Sequence, residues 1–152
     1  MRKTSVLAGL GVLLLASVAF AGDNWLGTWK LNAAKSKSTG PGPQVLTWEA
    51  GADGATKFSS TGIDAQGKTT HTGYVSKFDG KDVPYEGNPN ADTASPKRID
   101  ANTYENTWKK GGKTTVVAKV VVSADGKSMT VSQSGKDASG QPVNTTLVFD
   151  KQ

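Results

Sequence analysis

Asp-Gly and Asp-x-x-Gly turns cut this chain at short intervals: Asp53-Gly54, Asp64-Ala65-Gln66-Gly67, Asp79-Gly80, Asp125-Gly126 and Asp137-Ala138-Ser139-Gly140. Each lies between runs rich in Thr, Val and aromatic residues. Glycine supplies the positive φ that a tight hairpin needs, and the aspartate side chain caps amides two residues on, so the pattern reads as hairpin punctuation. Between the turns no stretch repeats with a helical period. Strand segments are expected at about 25–31, 44–50, 55–63, 68–78, 95–100, 102–110, 113–123, 127–135 and 142–150. A meander of this length exposes two sheet edges unless it closes on itself, and a closed barrel of about eight strands has an interior able to hold one small ligand. The expected fold is therefore all-β, an up-and-down antiparallel barrel of about eight strands.

Alternation within the segments assigns their faces, because successive strand side chains point to opposite sides. Val116, Ala118, Val120 and Val122 share one face, as do Val143, Leu147 and Phe149. The same parity groups Thr70, Thr72, Tyr74, Ser76 and Phe78, joins Trp48 to Leu46 and Phe58 to Thr56 and Ser60, and aligns Trp108 with Tyr104 and Asn106. Aromatics interspersed with hydroxyls suit a partly hydrated cavity better than a dry core, since an unpaired buried hydroxyl costs about 1–3 kcal/mol. Two segments break the alternation. Residues 32–43 are rich in Ala, Ser, Lys, Gly and Pro. Residues 84–96 carry Pro84, Gly87, Asn88-Pro89, Asn90 and Ser95-Pro96, and are expected to form a second irregular loop.

Residues 1–21 have a basic start (Arg2, Lys3), an apolar run from Val6 to Phe20 and an Ala19-Phe20-Ala21 cleavage site, the three parts of a secretory signal peptide. The run is short for a bilayer span, is broken by Gly9 and Gly11, and is followed by Asp23-Asn24, so no stable membrane anchor is expected. The remaining residues 22–152 amount to one domain, secreted or periplasmic. Losing the leader lowers the basic residues from 18 to 16 against 13 acidic ones, and the formal charge from +5 to +3. The lysines stand singly beside turns (Lys68, Lys81, Lys113, Lys127, Lys136) without forming a basic stripe, which argues against a nucleic-acid partner.

Candidate chemistry is sparse. The chain has no cysteine and a single histidine, His71, which excludes a thiol nucleophile, a Cys or multi-His zinc site and a two-histidine relay. His71 falls on the face opposite Tyr74 and reads as a solvated strand residue. Gly62-Ile63-Asp64-Ala65-Gln66-Gly67-Lys68-Thr69 satisfies the P-loop pattern, yet a strand follows it where phosphate binding needs a helix, so it reads as a hairpin. No metal and no cofactor are expected.

Gly27-Thr28-Trp29, at the start of the mature chain, resembles the G-x-W signature with which lipocalins and related calycins enter their first strand. The segment from Trp29-Lys30-Leu31-Asn32 through Lys35-Ser36-Lys37 to Pro41-Gly42-Pro43 is similar to exported bacterial lipocalin-like proteins of unassigned function. Gly87-Asn88-Pro89, Lys97-Arg98-Ile99-Asp100 and Asp150-Lys151-Gln152 share that similarity. The resemblance implies an eight-stranded barrel whose signature Trp packs across the closed end, beside a basic residue near the chain end, here Lys151. Its open end would admit a small, usually apolar molecule.

Together these readings lead to the expectation of a non-catalytic binding protein that buries a small hydrophobic molecule. Trp48, Phe58, Tyr74, Tyr104 and Trp108 are its expected walls, and Arg98, the sole arginine after the leader, is a candidate clamp for an anionic group. A second reading is an envelope interaction or inhibitor module that contacts a protein partner through loops 32–43 and 84–96. A third, an enzyme using Glu105 or Asp92 with Arg98, lacks any spacing that brings those groups together.

Overall fold

Strand and turn alternate along the chain much as the punctuation requires. A computed structural model describes residues 22–38 and 41–152, so the leader, and with it the expected signal peptide, lies outside the described residues. The strands are β1 (Gly27–Leu31), β2 (Pro43–Ala50), β3 (Thr56–Ile63), β4 (Thr69–Ser76), β5 (Val83–Pro84), β6 (Thr93–Asp100), β7 (Thr103–Lys110), β8 (Lys113–Val122), β9 (Ser128–Lys136) and β10 (Pro142–Lys151). Two short 3-10 turns, Ala33–Lys35 and Ala52–Gly54, are the helical elements among the described residues. The aspartates act as turn caps: Asp64 Oδ1 accepts from the Gln66 and Lys68 amides, and Asp137 Oδ1 from those of Ser139 and Gln141. The P-loop-like octapeptide is therefore the hairpin between β3 and β4.

One antiparallel sheet contains all ten strands, in the order β4-β3-β2-β1-β10-β9-β8-β7-β6-β5. Consecutive strands pair with one another except β4 and β5, and β1 pairs with both β2 and β10: Trp29 lies opposite Leu46 on one side and Lys151 on the other. First and last strands are thus joined, and the two remaining edges, β4 and β5, face each other across a seam. Gly73 and Glu86 close that seam with reciprocal amide-to-carbonyl hydrogen bonds of 3.1 and 2.9 Å. The result is a nearly closed antiparallel barrel, compatible with a lipocalin-like fold.

Ten strands form where a barrel of about eight was expected, and the one that matches none of the nine expected segments, β5, lies in residues 77–96. Asp79-Gly80 does not turn one sheet strand into its neighbour. There the chain runs antiparallel beside β6, with the Gly80 amide donating to the Pro96 carbonyl and the Arg98 amide to the Phe78 carbonyl. The expected loop at 84–96 begins in β5 and ends inside β6. Pro96 is tolerated within β6 because a residue's N–H and C=O point to the same side of a strand. Its missing donor therefore faces the irregular 78–80 segment and leaves the β7 ladder intact.

The expected inward faces are the buried ones. Leu46, Trp48, Phe58, Tyr74, Tyr104, Val116, Val120, Val122, Leu147 and Phe149 all lie in the core, together with Met129 and Val131. One end of the barrel is plugged. Trp25 and Trp29 are fully buried there, the Trp29 indole donates to the Trp25 carbonyl at 2.8 Å, and Trp25 stacks on Phe78 with ring centroids 5.5 Å apart. Phe78 reaches this position with φ of 56°, a conformation costly for a bulky residue, and its amide is held by Ser76 Oγ at 3.0 Å. Lys151 Nζ lies 5.0 Å from the Trp29 ring centroid, so the chain-end cation caps the plug.

Candidate functional site

At the end opposite the plug the barrel opens into a cavity of about 310 Å³. Its mouth is formed by Pro41–Pro43, the β3–β4 turn at Ile63 and Asp64, and Gly87–Asn90. Both segments that interrupted the strand pattern therefore converge on one opening. Its deeper wall is built from alternate residues of the strands, among them Leu46, Val120, Leu147 and Phe149. The barrel narrows towards Tyr104, whose ring lies 5.3 Å from Trp25 and 4.9 Å from Phe78, so the cavity floor is also the top of the plug.

Trp48, Phe58, Tyr74, Tyr104 and Trp108 all line this cavity. Their rings form a continuous chain: Trp48 to Phe58 at 4.9 Å, Phe58 to Tyr74 at 4.7 Å, Tyr74 to Tyr85 at 5.2 Å and Tyr85 to Trp108 at 5.5 Å. Edge and tilted contacts predominate, which locks each ring against its neighbour and leaves a rigid wall. Tyr85 was not expected here. It sits just after β5 in a segment without alternation, so periodicity carried no signal for it.

Arg98 is a correction. By register it pairs with Tyr104 across β6 and β7, yet it lies outside the cavity, at the plugged end, where Nε contacts Asp23 at 2.6 Å. It is in no position to clamp a group held in the cavity. The carboxylates considered with it are also apart from the cavity: Asp92 is exposed and engages Lys110 and the Gly111 amide, and Glu105 is exposed on β7. His71 lies on the outer face, with Nδ1 3.3 Å from Thr61 Oγ1.

The polar chemistry of the cavity centres on Asn106. This side chain is only 4 % exposed; its Nδ2 donates to the Tyr74 hydroxyl at 3.3 Å, whereas Oδ1 has no partner. Two further buried groups on the lining lack partners, the indole N–H of Trp48 and that of Trp108. The Trp48 indole approaches the phenols of Tyr74 and Tyr104 but completes a hydrogen bond of normal geometry with neither. Orphaned buried donors and acceptors are uncommon in folded proteins, and three on one cavity give its wall unmet hydrogen-bonding capacity.

The phenols are neutral over a wide pH range. Burial pushes the ionisation of Tyr74 far up, reinforced by the neighbouring Tyr104 and Tyr85. Tyr104 is raised strongly and Tyr85 less so, burial being the leading cause in both; the contacts of Tyr85 with Thr72 and Asn88 work the other way. Among the described residues no lysine, arginine or histidine lines the cavity, and the one carboxylate there, Asp64, is at the mouth. The arrangement suits desolvation and hydrogen bonding of an uncharged guest. No protein-family model matches the chain, and no curated protein matches it.

Proposed function

We propose that this is an exported, lipocalin-like, non-catalytic binding protein that holds one small, largely apolar molecule inside the barrel. The observation that carries the reading is the aromatic-walled cavity, rigid on its sides and open at one end. Its volume, about 310 Å³, falls at the lower end of the range for small-molecule sites. Covering about 200 Å² of a guest's apolar surface contributes roughly 5 kcal/mol before the costs of association. The leader-like residues 1–21 support a secreted or periplasmic location. Loops 32–43 and 84–96 support the same reading, because both contribute to the cavity mouth.

Native mass spectrometry of protein purified from the envelope of its own host tests the proposal. A co-purifying mass of a few hundred daltons, together with altered tryptophan emission on adding small aromatics, is the expected result, since Trp48 and Trp108 line the cavity. Protein that is always free of ligand, with emission unchanged across a panel of lipids and aromatics, would sink it.

A further inference from the structure

The cavity's unmet hydrogen bonds and its lack of charge narrow the chemistry of the guest. The free Oδ1 of Asn106 calls for a donor, and the free indole N–H groups of Trp48 and Trp108 call for an acceptor. We infer that the cavity selects an uncharged molecule of the amide or lactam class, with a flat apolar body against the aromatic wall and one donor-and-acceptor group held between Asn106 and the two indoles. This rests on the reading of the barrel as a binding protein.

Two other classes meet specific obstacles. A carboxylate would enter a lining whose described residues offer no cation, and burying an unpaired charge costs far more than burying a paired neutral group. A cation would gain from ring faces, as ammonium groups do in aromatic cages. Here, however, the rings spend their faces and edges on one another, and the lining offers an ammonium no carboxylate deeper than Asp64 at the mouth. An amide satisfies both kinds of orphan at once. Its N–H donates to Asn106 Oδ1, and its carbonyl accepts from an indole.

Isothermal titration calorimetry at pH 7 with 2-naphthamide, 2-naphthoate and 2-naphthylmethylammonium tests the inference on one apolar body with three head groups. The amide should bind at least tenfold more tightly than either ion. Asn106→Leu should weaken the amide several-fold and leave both ions as weak as before, with near-ultraviolet circular dichroism confirming that the barrel is folded. Trp108→Phe, which keeps an aromatic ring but removes the pyrrole ring and its donor at a half-buried site, is the second variant and should weaken the amide several-fold. Equal or tighter binding of the carboxylate or the ammonium overturns selection for neutral guests while leaving the barrel a binding protein. An amide affinity unchanged by both variants overturns its placement at Asn106 and the indoles. Failure of all three probes to bind at millimolar concentration overturns this inference, whereas the binding reading itself stands or falls on the mass-spectrometric test.

Discussion

At the scale of single residues, the cavity wall brings the phenols of Tyr74, Tyr85 and Tyr104 together with the buried amide of Asn106 and the indoles of Trp48 and Trp108. Burial disfavours the phenolate, so Tyr74, Tyr85 and Tyr104 ionise at higher pH in the barrel than in the unfolded chain, where the value is about 10. Their contribution to stability is complete below that unfolded value and is lost as pH rises through it towards the folded values. Urea unfolding followed across pH should therefore show a steep loss of stability above about pH 10. Tyr74→Phe should make the loss shallower, because it removes the group with the largest environmental penalty. An identical alkaline slope in wild type and Tyr74→Phe would show that the phenols do not govern it.

At the scale of elements, the seam between β4 and β5 is the least regular junction of the sheet. It depends on a close approach of backbones, which Gly87 permits by having no Cβ. A Cβ there would stand 2.1 Å from the His71 carbonyl oxygen, and the backbone has φ of 72°, which side-chain-bearing residues rarely adopt. Gly87→Ala should cost about 1–3 kcal/mol through strain and displaced pairing. It should also speed hydrogen exchange at the Gly73 and Glu86 amides, the pair that closes the barrel. Exchange at those amides unchanged from wild type would mean that the seam is held by other contacts. Because Gly87 is also part of the cavity mouth, the substitution links closure of the barrel to access by the guest.

At the scale of the whole molecule, closure joins β1 to β10. Trp29 pairs with Lys151, Leu31 with Phe149, and the Gln152 amide donates to the Thr28 carbonyl. Such long-range pairing delays the reward for ordering the chain until the last strand arrives, which predicts slow, cooperative folding. Removing residues 149–152 should abolish cooperative thermal unfolding, monitored by near-ultraviolet circular dichroism. It deletes fully buried Phe149 and the pairing that stitches β10 to β1. The milder Phe149→Ala should retain the fold and cost about 3–5 kcal/mol. A truncated chain that still melts cooperatively at the wild-type temperature would show that the barrel does not rely on this closure.

Periodicity and turn chemistry by themselves determined the strand segments and which side chains face inward: Trp48, Phe58, Tyr74, Tyr104, Asn106 and Trp108 share the interior because alternation at period two leaves them no other face. Alternation has no bearing on depth along the axis. Arg98 has the right parity but lies at the plugged end with Asp23, and only the meeting of strands distant in sequence decides which end of a strand is plugged and which is open. Tyr85 was illegible for a related reason, since it enters the wall from an irregular segment positioned by the seam. The orphaned Oδ1 of Asn106 also belongs to the tertiary structure, because a hydrogen bond is made or left unmade only when strands from the whole chain have closed around it.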